Sequence, residues 1–137
     1  MPKENKKELM IRNSTAEFLI FTKQSGGDGI EVRVANKNLW LTQKLLSKLY
    51  DIDRSVITKH LKNIFNENEL EKETVCAIFA HTAEDGKDYQ TEFYSLEAII
   101  AVGYRVNSQK AIEFRQWATR VLKQFVTHGW VIHKENN

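Results

Sequence analysis

The chain is poor in cysteine, in long apolar runs and in net charge, and each shortage narrows what it can be. Cys76 is the only cysteine among 137 residues, which excludes an intramolecular disulfide and fits a reducing compartment. A chain of this length buries roughly two-thirds of its unfolded surface, so one domain is expected without a disulfide or metal staple. Apolar runs are only a few residues long and Met1–Met10 is charged throughout. No spanning helix and no signal peptide are therefore expected, and the expected location is the cytoplasm.

The net charge of +2 conceals a strong segregation along the chain. Residues 37–63 carry 6 basic and 2 acidic groups, residues 64–97 carry 2 and 9, and residues 98–137 carry 6 and 2. Local potential rather than total charge steers a polyanion. Such blocks can equally pair with one another, so segregation alone decides nothing.

The polar, lysine-rich stretch 1–15 reads as a flexible arm, 16–133 as a single domain and 134–137 as a polar tail. Phe18 to Phe21 and the alternating Ile30, Val32 and Val34 read as strands joined through Ser25-Gly26-Gly27-Asp28-Gly29. That glycine cluster lacks a following Gly-Lys-Ser/Thr and opens no helix, so it is a turn rather than a phosphate loop. Trp40 and Leu41 lead into a helix from about Thr42 to Tyr50, with Thr42 as N-cap and Leu45, Leu46, Leu49 and Tyr50 as its apolar stripe. After Asp51-Ile52-Asp53, a second helix is expected from Arg54 to about Phe65, capped by Asp53, with Ile57, Leu61, Ile64 and Phe65 inward. Asn66 to Glu73 reads as an acidic short turn or helix. Thr74 to Ala80 and Tyr89 to Tyr94 form a hairpin around Glu84-Asp85-Gly86-Lys87, in the position of a wing. Ser95 caps a helix to about Tyr104. A longer helix runs from near Asn107-Ser108 to His128, with Gly129 as its C′ residue; its stripe is Phe114, Ala118, Val121 and Phe125, widened by Trp117 and Leu122.

The pair of helices between Leu41 and Asn63 meets the demands of a helix-turn-helix. Ser47 is small where the helices cross, Ile52 is apolar in the turn, and Ile57 and Leu61 pin the second helix. Asp51 stands where glycine is common, and aspartate tolerates a left-handed backbone better than most residues. Arg54, Ser55, Thr58, Lys59 and Lys62 then point outward. The first three are placed to reach base edges in the major groove, arginine bonding guanine and the hydroxyls either purine. Lys59 and Lys62, with Lys44 and Lys48, suit phosphate contacts that set register without reading sequence. Arg105, Lys110 and Arg115 are further phosphate candidates at the start of a basic helix. The competing reading is an ordinary helical hairpin with a solvated basic face.

These stretches resemble the N-terminal domain of the virulence protein RhuM family over residues 14–133. The resemblance rests on Leu39-Trp40-Leu41-Thr42-Gln43, Lys62-Asn63-Ile64-Phe65 with Glu69-Leu70, Asp85-Gly86-Lys87, and above all Ile99 to Arg120. The Phe114, Trp117, Val121-Leu122 and Gly129 pattern is more loosely similar to the end of Bro-N DNA-binding domains. RhuM-like proteins are longer, so the resemblance implies a truncated member lacking a C-terminal region. It implies a DNA-binding module of mobile-element origin, "virulence" conveying association rather than mechanism, and it supplies no catalytic residues.

An independent search for chemistry finds little. His60, Cys76, His81, His128 and His133 do not have zinc-ligand spacing. No nucleophile-elbow glycines surround Ser95. Tyr104-Arg105 suggests phosphodiester transesterification, but no basic set is spaced around it. The expectation is an α+β, winged-helix-like helix-turn-helix with two β-hairpins and a long C-terminal helix. It would bind double-stranded DNA, as a homodimer, with no cofactor and no enzymatic activity. The alternatives are a protein-interaction domain of a larger virulence- or toxin-type protein, using acidic residues 67–92 or the long helix, and a nuclease or toxin fragment whose chemistry lies elsewhere.

Overall fold

The computed structural model describes Phe18, Phe21, Thr22 and residues 30–127. The fold is mixed α+β, with a four-stranded antiparallel sheet and helices packed around one core. In chain order the elements are β1 (Arg33–Ala35), β2 (Asn38–Leu41), α1 (Gln43–Tyr50), α2 (Arg54–Asn66), the single turn α3 (Lys72–Val75), β3 (Cys76–Thr82), β4 (Asp88–Ser95), α4 (Leu96–Gly103) and α5 (Gln109–Thr127). Among the described residues no helix is long and apolar enough to cross a membrane.

The sheet order is β1-β2-β4-β3. β1 and β2 form a tight hairpin in which Val34 faces Leu39. Its two central residues, Asn36 and Lys37, both take positive φ, 51° and 59°, the geometry whose twist matches two antiparallel strands. β4 lies between β2 and β3, pairing Leu41 with Tyr94 on one side and running from Cys76↔Tyr94 to Thr82↔Asp88 on the other. The helix pair α1–α2 is therefore inserted between two strands of one sheet.

The first hairpin differs from the expected one. Phe18, Phe21 and Thr22 are helical, not extended, and the glycine cluster 25–29 lies outside the described residues. Phe18 stands 5.7 Å edge-on from Trp117, and Phe21 lies 5.8 Å edge-on from Phe114. A helical spacing of three puts both rings on one side, where they cover α5, and aromatic pairs at these separations favour that arrangement. Trp40 and Leu41 end a strand and lead directly into the helix that Thr42 caps. The Trp40 Nε1–H donates to the Ala35 carbonyl at 2.9 Å, across its own hairpin.

The helix pair follows the sequence closely. Thr42 Oγ1 accepts the Leu45 N–H at 3.2 Å, capping α1. Asp51 ends it in the left-handed region, at φ 52° and ψ 55°. Asp53 caps α2 through the Ser55 N–H at 2.9 Å. Leu45, Leu46, Leu49 and Tyr50 of α1 meet Ile57, Leu61 and Ile64 of α2 in the core, and Phe65 packs at its margin.

A second set of contacts fastens this pair to the C-terminal helices. Tyr50 is fully buried and donates its hydroxyl to the Ile99 carbonyl on α4 at 2.6 Å. Ser108 donates to the Tyr50 carbonyl at 2.6 Å and accepts the Ala111 N–H at 3.1 Å, so one hydroxyl both caps α5 and holds the end of α1. Gly103 ends α4 where a side chain has no room, because a Cβ there would sit 2.6 Å from both Phe114 Cδ2 and Tyr50 Oη. Two details depart from expectation. Ser95 occupies the N-cap position of α4 but makes no capping bond; the Leu96 N–H is taken by the Asn38 side-chain oxygen at 3.3 Å. On α5, Phe114, Trp117 and Val121 are buried, whereas Leu122 is 63% exposed. Gly129, Trp130–Ile132, His128 and His133 lie outside the described residues.

Candidate nucleic-acid interface

The outward face of α2 follows directly from its inward one. With Ile57, Leu61 and Ile64 buried at spacings of four and three, Arg54, Ser55, Thr58, Lys59 and Lys62 fall on the opposite side, and all five are exposed. Lys44 and Lys48 are exposed on α1 beside them. Among the described residues, none of Lys44, Lys48, Arg54, Lys59 and Lys62 has a carboxylate within 4 Å, whereas Lys72 and Arg105 do. Five cations are thus held on one helix pair with no carboxylate partner among the described residues.

The hydroxyls on this face are held more tightly than its cations. Ser55 Oγ donates to Asp53 Oδ2, the same carboxylate oxygen that accepts the Ser55 N–H. These two bonds hold the Asp53 carboxyl below the usual aspartate range, the side-chain bond contributing most. Thr58 Oγ1 donates to Gln43 Oε1 at 2.6 Å and approaches the Arg54 carbonyl at 3.1 Å. Gln43 Nε2 in turn donates to Tyr94 Oη at 3.0 Å, and Tyr94 donates to Glu92 Oε1 at 2.8 Å. A continuous hydrogen-bonded row therefore runs from strand β4 through the first residue of α1 to the middle of the α2 face. Burial, above all, raises the Tyr94 phenol pKa, so it stays protonated and able to donate.

Beside this face an open groove of about 640 Å³ separates the helix pair from the β3–β4 hairpin. Lys44, Lys48 and Arg54 line one wall, and Thr82, Glu84 and Asp85 line the other. The hairpin tip turns at Gly86, whose φ of +82° suits glycine. Asp85 braces the tip by accepting the Lys87 N–H at 2.9 Å and the Tyr89 hydroxyl at 2.6 Å. The hairpin presents acids to the groove, where a phosphate contact would need bases.

The three C-terminal candidates stand apart from this face. Arg105 gives its guanidinium to Glu67 at 2.7 Å and Glu69 at 2.8 Å, joining the end of α2 to the loop after α4. Arg115 points inward, donating to the Gly103 carbonyl at 2.9 Å and the Val106 carbonyl at 3.1 Å, and so caps the end of α4. Lys110 lies half-buried on the first turn of α5. Tyr104 is exposed next to Arg105, and the arginine is committed to carboxylates. Cys76 is half-buried, and burial with the nearby Glu92 pushes its thiol up to about 11, far from the range of a reactive thiolate.

Sequence reasoning missed Gln43, Tyr94 and Glu92. Gln43 lies 15 residues before Thr58, beyond any helical period, and its role exists only once the two helices cross. Its sole sequence signal was its place in Leu39-Trp40-Leu41-Thr42-Gln43.

A family model described as the virulence protein RhuM family matches residues 74–136. The matched stretch takes in the β3–β4 hairpin, α4 and α5, while the helix pair at 43–66 precedes it. No curated protein and no solved structure matches the chain. Over residues 74–136, where the Ile99 to Arg120 motif lies, the chain is thus similar to the virulence protein RhuM family.

Proposed function

We propose that the chain is a DNA-binding module of winged-helix type, with α2 entering the major groove of a duplex. The observation that carries this reading is the joint exposure of Arg54, Ser55, Thr58, Lys59 and Lys62 on one face of α2, opposite its buried stripe. The N-terminal residues of such a helix reach base edges, while neighbouring lysines neutralise phosphates. Lys44 and Lys48 extend the positive surface to α1, as backbone contacts flanking the groove require. The strand order supports the winged-helix part, since β2 before the helix pair joins the hairpin that follows it.

Charge divides the work within this reading. Glu84, Asp85 and Asp88 oppose Lys87 at the hairpin, so the wing repels phosphate and α2 supplies the affinity. Arg105 and Arg115 serve the fold, being already bonded to protein oxygens. Duplex sites commonly carry two half-sites, and a homodimer through α5 belongs to the proposal, Leu122 and Ile112 being exposed apolar residues among those described on it.

A second reading takes its support from the acidic hairpin wall. In it the chain docks a basic protein partner through Glu84, Asp85 and Asp88, and the α2 face is incidental. Fluorescence anisotropy with a labelled random-sequence duplex at low salt separates the two. The DNA reading expects binding by the wild type that is lost in Arg54→Ala/Lys59→Ala/Lys62→Ala and retained in Glu84→Gln/Asp85→Asn. No binding by the wild type, or equal binding by the triple variant, favours the protein-partner reading.

A further inference from the structure

The two hydroxyls on the α2 face both send their protons into the protein. We propose that Ser55 and Thr58 consequently act toward DNA as acceptors only, so that the contacted strand is read for adenine or cytosine against guanine or thymine. The proposal rests on the DNA-binding reading above and sharpens it from a surface to a base class.

The polarity of Thr58 is dictated from the far end of the four-residue hydrogen-bonded row. Tyr94 has one hydroxyl proton and gives it to Glu92 Oε1 at 2.8 Å, leaving its oxygen only able to accept. Gln43 must therefore turn its amide nitrogen to Tyr94, at 3.0 Å, and its carbonyl oxygen to Thr58, at 2.6 Å. An amide oxygen accepts and cannot donate, so Thr58 is the donor. Its other near neighbour, the Arg54 carbonyl at 3.1 Å, is likewise an acceptor and leaves the direction unchanged. Ser55 is fixed the same way by the Asp53 carboxylate.

With the protons turned inward, what each exposed oxygen offers a ligand is a lone pair. In the major groove adenine N6 and cytosine N4 are donors, whereas guanine O6 and thymine O4 are acceptors. An acceptor facing an acceptor leaves both unpaired in a partly dry interface, which costs more than a missing bond. Gln43 is in this account a positioning residue: it touches no base and sets the direction of the Thr58 hydroxyl.

Site selection by the whole chain from a randomised duplex library tests this. One position of the selected motif should be adenine or cytosine in the wild type and lose its preference about three- to tenfold in Thr58→Val. Gln43→Ala should weaken the preference at that same position. Gln43→Glu, which can still accept from Thr58, should keep it. Replacing the selected adenine by purine, which lacks the N6 amino group, should weaken the wild type about three- to tenfold and leave Thr58→Val unaffected. Guanine or thymine at the position, no position altered by Thr58→Val, or equal losses by both proteins on purine would overturn the assignment. A wild type that binds no duplex at all ends the DNA-binding reading itself, and this inference with it.

Discussion

Tyr50 donates its hydroxyl proton to the carbonyl oxygen of Ile99 at 2.6 Å, and this bond ties the end of α1 to α4 inside the core. Burial raises the phenol's pKa well above its ordinary value, so the group remains a donor at any pH the fold survives. Tyr50→Phe keeps the ring and its 5.3 Å edge contact with Phe114 but removes the donor. A loss of about 1 kcal/mol is expected, as for a typical intramolecular hydrogen bond. Urea denaturation checks it, and the midpoint should fall without a change in slope.

Gly103 gives a sharper test of packing. An alanine methyl would lie 2.6 Å from Phe114 and Tyr50, so Gly103→Ala should destabilise by about 1–3 kcal/mol through overpacking. Phe114→Leu destabilises alone, yet in combination with Gly103→Ala it should relieve part of the clash. A double-mutant cycle with purely additive losses would contradict the close approach.

How much of this was legible beforehand differs between elements. The α1–α2 pair could be read because its information is local: Thr42 and Asp53 cap, Asp51 tolerates left-handed backbone, and the apolar stripes keep helical period. Phe18–Phe21 misled because a short apolar run has no period of its own, and the helix there exists to cover Phe114 and Trp117, almost a hundred residues away. The β1–β2 hairpin was missed because Lys37, at φ 59°, is not a residue that announces a turn. Within the candidate site, exposure of the basic residues followed from period alone. The partners that occupy Arg105, Arg115 and Thr58 are tertiary and left no trace in spacing.

His60 supplies a pH dependence whose sign is fixed. Its pKa is lowered by burial first, then by Arg105 and Lys59. The unfolded chain therefore binds a proton that the folded chain resists, and stability rises with pH through this window. As pH falls through the unfolded histidine value of about 6.5, the fold should lose stability until the folded group also protonates. Thermal melts between pH 7.5 and 5 should show a smaller acid-side drop in His60→Gln than in the wild type.

The paired and unpaired cations should separate in DNA binding. Arg105 already satisfies Glu67 and Glu69, so Arg105→Ala is expected to change duplex affinity less than about twofold. Lys59→Ala or Lys62→Ala, each removing a cation with no carboxylate within 4 Å among the described residues, should each weaken it several-fold at low salt. Equal effects at all three positions would mean that the positive face is not where the duplex lies.

The most direct test of the α2 face is the salt dependence of duplex binding, compared between the wild type and Lys59→Ala/Lys62→Ala. A phosphate contact contributes about 0.9 to the slope of log affinity against log salt, so the double variant should show a slope lower by about 1.8. An unchanged slope, or a wild type with no measurable affinity for duplex at low salt, would contradict the account.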